Sequence, residues 1–535
     1  MPAFPTFDHR RGVLSVDFLA RIGAVWLLVC AGLVAFKWSA IGALHLPGPD
    51  DVMRLVQLRD LLAGQSWFDV TQYRVDAPAG GVDMHWSRLV DIPLALVIWA
   101  LTPLLGSADA ELAALIIVPM LTLGLAMVLA ARIAWRLIGA GEAIVAALML
   151  VLSLPVLTQL GPLRIDHHGW QIVCALAVVN ALMVRSPMMG GWAIGAVCAV
   201  WLAISIEGLV LAAAIFAVLA VRWWRNRADR LWLVGAIQAL AILSVLLFVV
   251  TRGLGQLATY CDAISPVHLA MFGWGAAVLS VLARLDPVSR GALIGGFALA
   301  GGGALGMLVY TAPHCVSGGG FAALDPVVAK YWYANVSEGM PIWRQSLVTA
   351  LQYSIPPAVG VFAAINLSTS ARDWLRSYWR DYALILAAAL LISLFVSRAA
   401  AVACALAAAP LAWQLCDWLR RVRALPRLVM RLAGMAGLIC VIFPAFPAIL
   451  ATNALNLGAP VDASLNAATG AANARAPLKP QDCRLEDSGA ILAGLAPGEV
   501  FAPLNMGPGL LLVSDHTVIA TGHHRGDAGM KVLIE

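Results

Sequence analysis

The heptapeptide Arg-Ile-Asp-His-His-Gly-Trp at 164–170 lies between two apolar runs, 143–160 and 171–184. Asp166 and His168 stand two residues apart, a hard oxygen donor and an imidazole, and such a pair can share one divalent metal ion. Arg164 beside them suits a phosphate group. The plainer reading makes these residues helix-capping and interfacial, with His167 facing away. A second candidate pair, Asp50 and Asp51, follows the first apolar run and sits beside Pro47 and Pro49. Paired carboxylates in a turn can ligate a hard cation or act as a general base, or simply cap the helix that follows. Glu338, in the aromatic-rich stretch 325–346, can complete a site begun by the other two; alone it reads as a loop carboxylate. Glu207 and Arg398 fall near the ends of apolar runs, where a charge is costly and by default faces a cavity or a partner. Arg398 can grip a phosphate and Glu207 can line the same cavity, against the competing readings of a snorkelling anchor and a structural hydrogen bond.

The elements that position these side chains are membrane helices. Of 535 residues, 61% are hydrophobic and 12% charged, with mean hydropathy +0.85, which places the chain outside the soluble globular class. Apolar windows of roughly 20 residues recur, the length that crosses a ~30 Å hydrocarbon core as a helix. Thirteen spans are expected, near 20–44, 111–131, 142–160, 169–184, 190–206, 207–221, 231–250, 266–283, 291–310, 346–369, 382–397, 399–416 and 428–450. Basic clusters at 10–21, 131–136, 222–230, 284–290, 371–380 and 417–427 then lie on one side, the cytoplasmic one. This alternation requires that the short run 92–106 does not cross, and an interfacial or re-entrant helix is expected there. No cleavable signal peptide is evident.

The resulting organisation is an all-α polytopic membrane protein with a small α/β outer domain. It comprises a cytoplasmic N-terminus (1–19), a transmembrane domain (20–450) with outer loops at 47–110, 161–168 and 311–345, a small-residue linker (451–482) and the outer domain (483–535). That domain reads as one helix and three short strands, with a polar stretch, Thr-Gly-His-His-Arg-Gly-Asp-Ala-Gly at 521–529, open to substrate contact or to a surface role. Nine cysteines show no metal-type spacing; Cys261, Cys315 and Cys483 alone fall outside the bilayer, where a disulfide is chemically open to them. Asn335-Val336-Ser337 matches a glycosylation sequon, a short match that arises easily by chance.

Taken together these positions resemble the catalytic subunit of oligosaccharyltransferase, within the GT-C class of polyprenyl-phosphosugar-dependent glycosyltransferases. That family is similar in its thirteen spans, cytoplasmic N-terminus and outer C-terminal domain. Its catalytic Asp just after span one corresponds to Asp50 or Asp51, its Asp-x-His metal motif to Asp166-His167-His168, and its long-loop Glu motif to Glu338 in Asn-Val-Ser-Glu-Gly-Met-Pro. Arg398 is a counterpart of its late-span Arg that contacts the lipid diphosphate. The segment Gly-Gly-Val-Asp-Met-His-Trp-Ser-Arg at 80–88 resembles the family's Gly-rich, Trp-containing run into a membrane-embedded helix. The chain departs from the family in lacking the Trp-Trp-Asp-Tyr-Gly motif that reads the acceptor sequon; its Trp pair, Trp223-Trp224, lies in a basic loop.

The resemblance implies metal-assisted, inverting transfer of a sugar or oligosaccharide from a polyprenyl phosphate or diphosphate donor to an outer-face acceptor, whether glycan, lipid or protein. Asp51, Asp166, His168 and Glu338 would hold Mg²⁺ or Mn²⁺. Asp50 or Asp51 would be the base, and Arg398 and Arg164 would bind phosphate. His85, Trp86, Arg88 and Glu207 would contact substrate. Membrane lipid is the expected surround, and no nucleic acid is expected as a partner. The rivals are a metal-independent transferase using a polyprenyl monophosphate sugar, a lipid or solute transporter, and a membrane scaffold.

Overall fold

The computed structural model describes residues 15–285, 288–318, 321, 324–455 and 489–535. The first residues of the expected N-terminal segment, most of the expected linker, and Cys483 lie outside the described residues. Among the described residues, eleven helices are long and apolar enough to cross a membrane by length and composition, and three shorter apolar helices accompany them. Ten of the thirteen expected spans fall on helices of spanning length, beginning with α1 (Val16–Phe36), capped by the Ser15 hydroxyl, while those at 142–160, 169–184 and 428–450 fall on the shorter helices Ala140–Leu152, His168–Ala181 and Leu428–Ile442.

The run expected to stay out of the span count forms the helix Asp91–Leu105, and with the turn before it (Arg88–Leu105) it qualifies by length as a candidate span. Gly106, at φ 82°, turns the chain straight back into the 31-residue helix Ser107–Leu137. At 1.5 Å per residue that second helix is about 46 Å long, well beyond a ~30 Å hydrocarbon core. Asp91–Leu105 packs back along it, beginning at an ion pair between Arg54 and Asp91.

The bundle is held by small residues, because lipid offers no hydrophobic drive between helices and close backbone approach must supply the contact energy. Helix Ala400–Arg423 is the central post: every residue from Ala400 to Ala412 is buried, and most are alanine. Gly191 and Gly195, four apart on helix Pro187–Ile204, lie directly against the backbone of Trp232 and Ala236 on helix Arg230–Thr251.

The polar loops 47–90, 158–168, 252–265 and 312–346 gather at one end of this bundle. Helix α2 (Pro49–Leu62) begins there with proline at its first position and Asp50 and Asp51 in its first turn, where carboxylates suit the positive end of the helix dipole. The basic stretches collect at the other end, where Arg222 pairs with Asp229 and Asp381, and Arg420 with Glu142.

The C-terminal segment 489–535 joins the loop end. Its apolar residues Leu510, Leu511, Leu512 and Val518 share one core with Met53, Val56, Val75 and Val82 of the first loop. Backbone bonds from Asp76 N to Val518 O and from Val518 N to Arg74 O (both 2.8 Å) continue that union. Two of the three strand expectations survive as a short parallel pair, Glu499–Val500 with Thr517–Val518. The third, Leu-Leu-Leu-Val-Ser, is instead in helix Gly507–Val513. Pro508 at the helix start fixes φ for a first turn, and tertiary burial of all three leucines removes the alternation that tells strand from helix.

Candidate functional site

Asp50 and Asp51 are neighbours on α2 and point apart. Asp51 is wholly buried: its Oδ2 accepts from Arg164 Nη1 (2.8 Å), and its Oδ1 from the backbone N–H groups of Ile165 (2.9 Å) and Asp166 (3.0 Å). One carboxylate thereby fastens the second loop to the first. The Asp50 side chain, 38% exposed, lines a cavity of about 780 Å³, and its Oδ1 lies 3.4 Å from His523 Nε2. Burial would raise Asp50, but the hydrogen bond and charge of His523 outweigh it and hold the group below the usual carboxylate range.

The second loop then sets Asp166 beside both histidines. Asp166 Oδ1 accepts from His167 Nδ1 and from the His167 backbone N–H, each at 2.6 Å. Its Oδ2 is buried without a hydrogen-bond partner and lies 3.3 Å from His168 Nε2. Burial is offset at Asp166 by His167, His168 and Arg54, which hold it well below the ordinary carboxylate value. At His167, burial lowers the pKa, but Asp166 and Glu207 together lift it to about 10. His167 is therefore an imidazolium at neutral pH and the counter-ion of Asp166, facing inward and not away. His168 Nδ1 lies 3.2 Å from the amide of Gln171, whose carbonyl is fixed by Trp201 Nε1 (3.1 Å).

Glu207 links this group to the third loop. Its Oε2 accepts from Gln171 Nε2 (3.0 Å) and its Oε1 from Arg398 Nη1 (2.6 Å), and Arg398 Nη1 lies 3.7 Å from Glu338 Oε1. Asp50, His167, His168, Glu207, Glu338 and Arg398 all line the same cavity, whose remaining wall carries apolar side chains such as Ile206, Val210, Phe248 and Ile392. His85 and Trp86 line it as well.

Two expected substrate or phosphate contacts lie elsewhere. Arg88 is almost fully buried and bonds to Gln57 O (3.1 Å), Asp69 O (2.7 Å) and Gln65 Oε1 (3.1 Å), knitting the first loop together. Arg164 is outside the cavity lining and committed to Asp51 and Gln159.

The residues missed by sequence reasoning come from far along the chain. His523 and His524 enter the cavity from the C-terminal segment. Asp262 accepts from His524 Nε2 (2.7 Å) and from Arg525 through Nε (2.7 Å) and Nη2 (2.8 Å), while Arg525 Nη1 bonds Asp83 (2.9 Å). These charges hold Asp262 well below its ordinary value against burial. A disulfide joins Cys261, beside it, to Cys315, so the oxidised pair among the three non-membrane cysteines is this one. The signal for the contact was present in the polar 521–529 stretch, which carries two adjacent imidazoles.

Asp166 Oδ2 is a buried carboxylate oxygen with no hydrogen-bond partner and lies 3.3 Å from His168 Nε2, so this pair fits a divalent metal ion. Ring or carboxylate atoms of Asp166, His167 and His168 lie within 4.8 Å of one another, with the His167 imidazolium serving as counter-ion of Asp166 and not as a ligand.

Among solved structures, the chain is similar to the archaeal oligosaccharyltransferase AglB of Archaeoglobus fulgidus in complex with an inhibitory peptide and a dolichol-phosphate, with a TM-score of 0.60. The chain shares its fold with this archaeal oligosaccharyltransferase. Identity to AglB is 12%, and the match covers 95% of this chain and 65% of that one, so this chain spans slightly less than two thirds of the AglB length. An Archaeoglobus fulgidus oligosaccharyltransferase tethered to an acceptor peptide containing an Asn-Val-Thr sequon matches with TM-score 0.63 at 13% identity, over 94% of this chain and 64% of that one. Its complex with zinc and sulfate matches with TM-score 0.58 at 14% identity, over 94% and 62% of the two chains. No family model and no curated protein matches the sequence. The likeness to AglB is thus one of fold.

Proposed function

We propose that the protein is a membrane glycosyltransferase that moves a sugar or oligosaccharide from a polyprenyl phosphate or diphosphate to an acceptor on the outer face, with metal assistance and inversion at the anomeric carbon. The observation that carries this reading is the cavity itself. Carboxylates and imidazoles from three loops meet a guanidinium there, against an apolar wall that can hold an isoprenoid while its phosphate stays at the polar end. The AglB structure that contains a dolichol-phosphate supports a lipid-linked donor for this fold.

In this reading Asp166 and His168 hold a divalent cation, Mg²⁺ or Mn²⁺, with Asp50 and Glu338 at the rim. When bound, the cation supplies positive charge where the departing phosphate becomes negative. For His168 to ligate through Nε2, its ring proton must sit on Nδ1, with the Gln171 amide turned to Glu207 alone. Arg398 takes the phosphate, and the Glu207 and Glu338 carboxylates keep its guanidinium in place until the donor arrives. Asp50, the first-loop carboxylate that faces the cavity, accepts the acceptor's proton as the acceptor attacks opposite the leaving phosphate. Asp51 is given a positioning role instead of a place in the metal shell, since three donors already occupy its oxygens. The Asn-sequon chemistry of the archaeal enzyme is not extended to this chain, which lacks the Trp-Trp-Asp-Tyr-Gly run.

The test is transfer of label from a polyprenyl-linked sugar by the protein in lipid vesicles, with and without EDTA. Turnover should fall with EDTA and return with Mn²⁺, and Asp166→Ala should lose about 10²-fold or more, the scale of losing one transition-state charge contact. Full turnover in folded Asp166→Ala would reject the assignment.

A further inference from the structure

A chain of six aromatic rings borders the cavity, supplied by three separate parts of the sequence. Trp86 and His85 of the first loop have ring centroids 5.4 Å apart, and His85 meets His524 of the C-terminal segment at 4.7 Å. His524 in turn meets Phe321 at 4.7 Å, and Phe321 stacks on Tyr333 at 4.6 Å, both of the third loop. Trp332 ends the series, its centroid 6.4 Å from that of Tyr333. Rings of this kind present rigid apolar faces against which C–H groups pack at low entropic cost.

Polar groups stand at the Trp332 end. Gly522 has no side chain, and a Cβ there would lie 3.3 Å from Asn505 Oδ1 and 3.5 Å from Trp332 Nε1. All three residues line the cavity, and neither the Asn505 amide nor the Trp332 indole N–H has a hydrogen-bond partner among the described residues. An indole N–H only donates and an amide oxygen only accepts, so the two together match a hydroxyl, which does both through one oxygen. A peptide backbone carries those roles on separate atoms. This cradle adjoins the first-loop carboxylate: Gly522 precedes His523, whose Nε2 lies 3.4 Å from Asp50 Oδ1.

We propose that this wall is the acceptor subsite and that the acceptor is a carbohydrate, a pyranose with its C–H faces on the rings and one hydroxyl bridging Trp332 Nε1 and Asn505 Oδ1. The inference rests on the transferase reading above and names the acceptor class that reading leaves open. A second hydroxyl of the same sugar is the nucleophile. Its oxygen forms the new bond to the anomeric carbon and its proton passes to Asp50, while the bond from that carbon to the phosphate oxygen breaks and its electron pair leaves on the phosphate. Because three segments build the wall, the subsite is complete only with the C-terminal segment docked.

The experiment uses the full-length protein in detergent without donor. Methyl glycosides of glucose, galactose, mannose and N-acetylglucosamine are titrated and read by saturation-transfer NMR, beside an Asn-Val-Thr peptide. At least one glycoside should bind saturably, with saturation reaching its ring C–H protons. Asn505→Ala should weaken that binding about 2-fold to 10-fold, the worth of one neutral hydrogen bond. Gly522→Leu, which fills the space beside both polar atoms, should abolish it. Trp332→Phe keeps a ring and removes the donor, so the deoxy glycoside that the wild type binds worst should bind this variant as well as its parent does. A purely structural Trp332 would leave that discrimination intact. Asn505 is exposed, and its variant covers the case in which the other two disturb folding. No bound glycoside, equal binding in the wild type and all folded variants, or binding of the peptide alone would overturn the inference. Label transfer that EDTA abolishes, with no glycoside bound, would sink this inference and leave the transferase standing. Glycoside binding that the variants lose, with no transfer from any lipid-linked sugar, would keep the carbohydrate site and reject the transferase.

Discussion

Asp50 and Asp51 differ by one step along a helix, about 100° of rotation, and that step separates chemistry from architecture. The buried Asp51 joins two loops through a guanidinium and two backbone N–H groups, so Asp51→Ala leaves three donors without an acceptor. Breaking a buried charge pair costs about 3–5 kcal/mol, and the expected result is a marked fall in the detergent unfolding temperature. Asp50→Asn should keep that temperature and lose transfer activity. Similar losses of stability in both variants would refute the division of labour. His167 yields a separate prediction from its raised pKa. Because the folded value, about 10, lies above the ordinary 6.5, its stabilisation is complete below pH 6.5 and is lost as pH rises through 10. Unfolding temperature should therefore decline between pH 7 and pH 10.5, and His167→Gln should flatten that decline; an unchanged slope in the variant would count against the His167–Asp166 pair as its origin.

At the scale of elements, the helix pair Pro187–Ile204 and Arg230–Thr251 shows what sequence hydropathy leaves out. Apolar runs located both helices, yet their contact depends on Gly191 and Gly195, where a side chain would strike the backbone of Trp232 and Ala236. Backbone cannot yield as a flexible side chain does, so Gly195→Leu should cost about 1–3 kcal/mol or more through overpacking, read as reduced unfolding temperature and yield of monodisperse protein. Gly301→Leu, on helix Arg290–Thr311 with open space at its Cβ position, is the control and should behave like wild type. The C-terminal elements were harder to read. A run of three leucines carries no period that tells helix from strand, and its neighbours across space, Met53 and Val56, are more than 450 residues away.

At the scale of the whole molecule, the proposed orientation, with the basic clusters on the cytoplasmic side, puts the cavity on the outer face. A cysteine at Ala79, exposed in the first loop, should react with an impermeant maleimide added to right-side-out vesicles. A cysteine at Arg421, 69% exposed at the opposite end of the bundle, should react only after permeabilisation. The reverse pattern would invert the orientation and remove the donor's phosphate from the side proposed here.

What the sequence determined by itself was the membrane class, the long apolar helices, and the spacing of Asp166 with His168, because span length and local spacing are written in consecutive residues. It also singled out Asp50, Glu207, Glu338 and Arg398, since charges flanking apolar runs are conspicuous. Only the tertiary structure decided which of two adjacent aspartates faces the cavity, that Arg88 and Arg164 are committed to loop architecture, and that His523 and His524 reach the site from the far end of the chain. Those outcomes depend on contacts between residues tens to hundreds of positions apart, where hydrogen-bond satisfaction and close packing act on distances that no local pattern records.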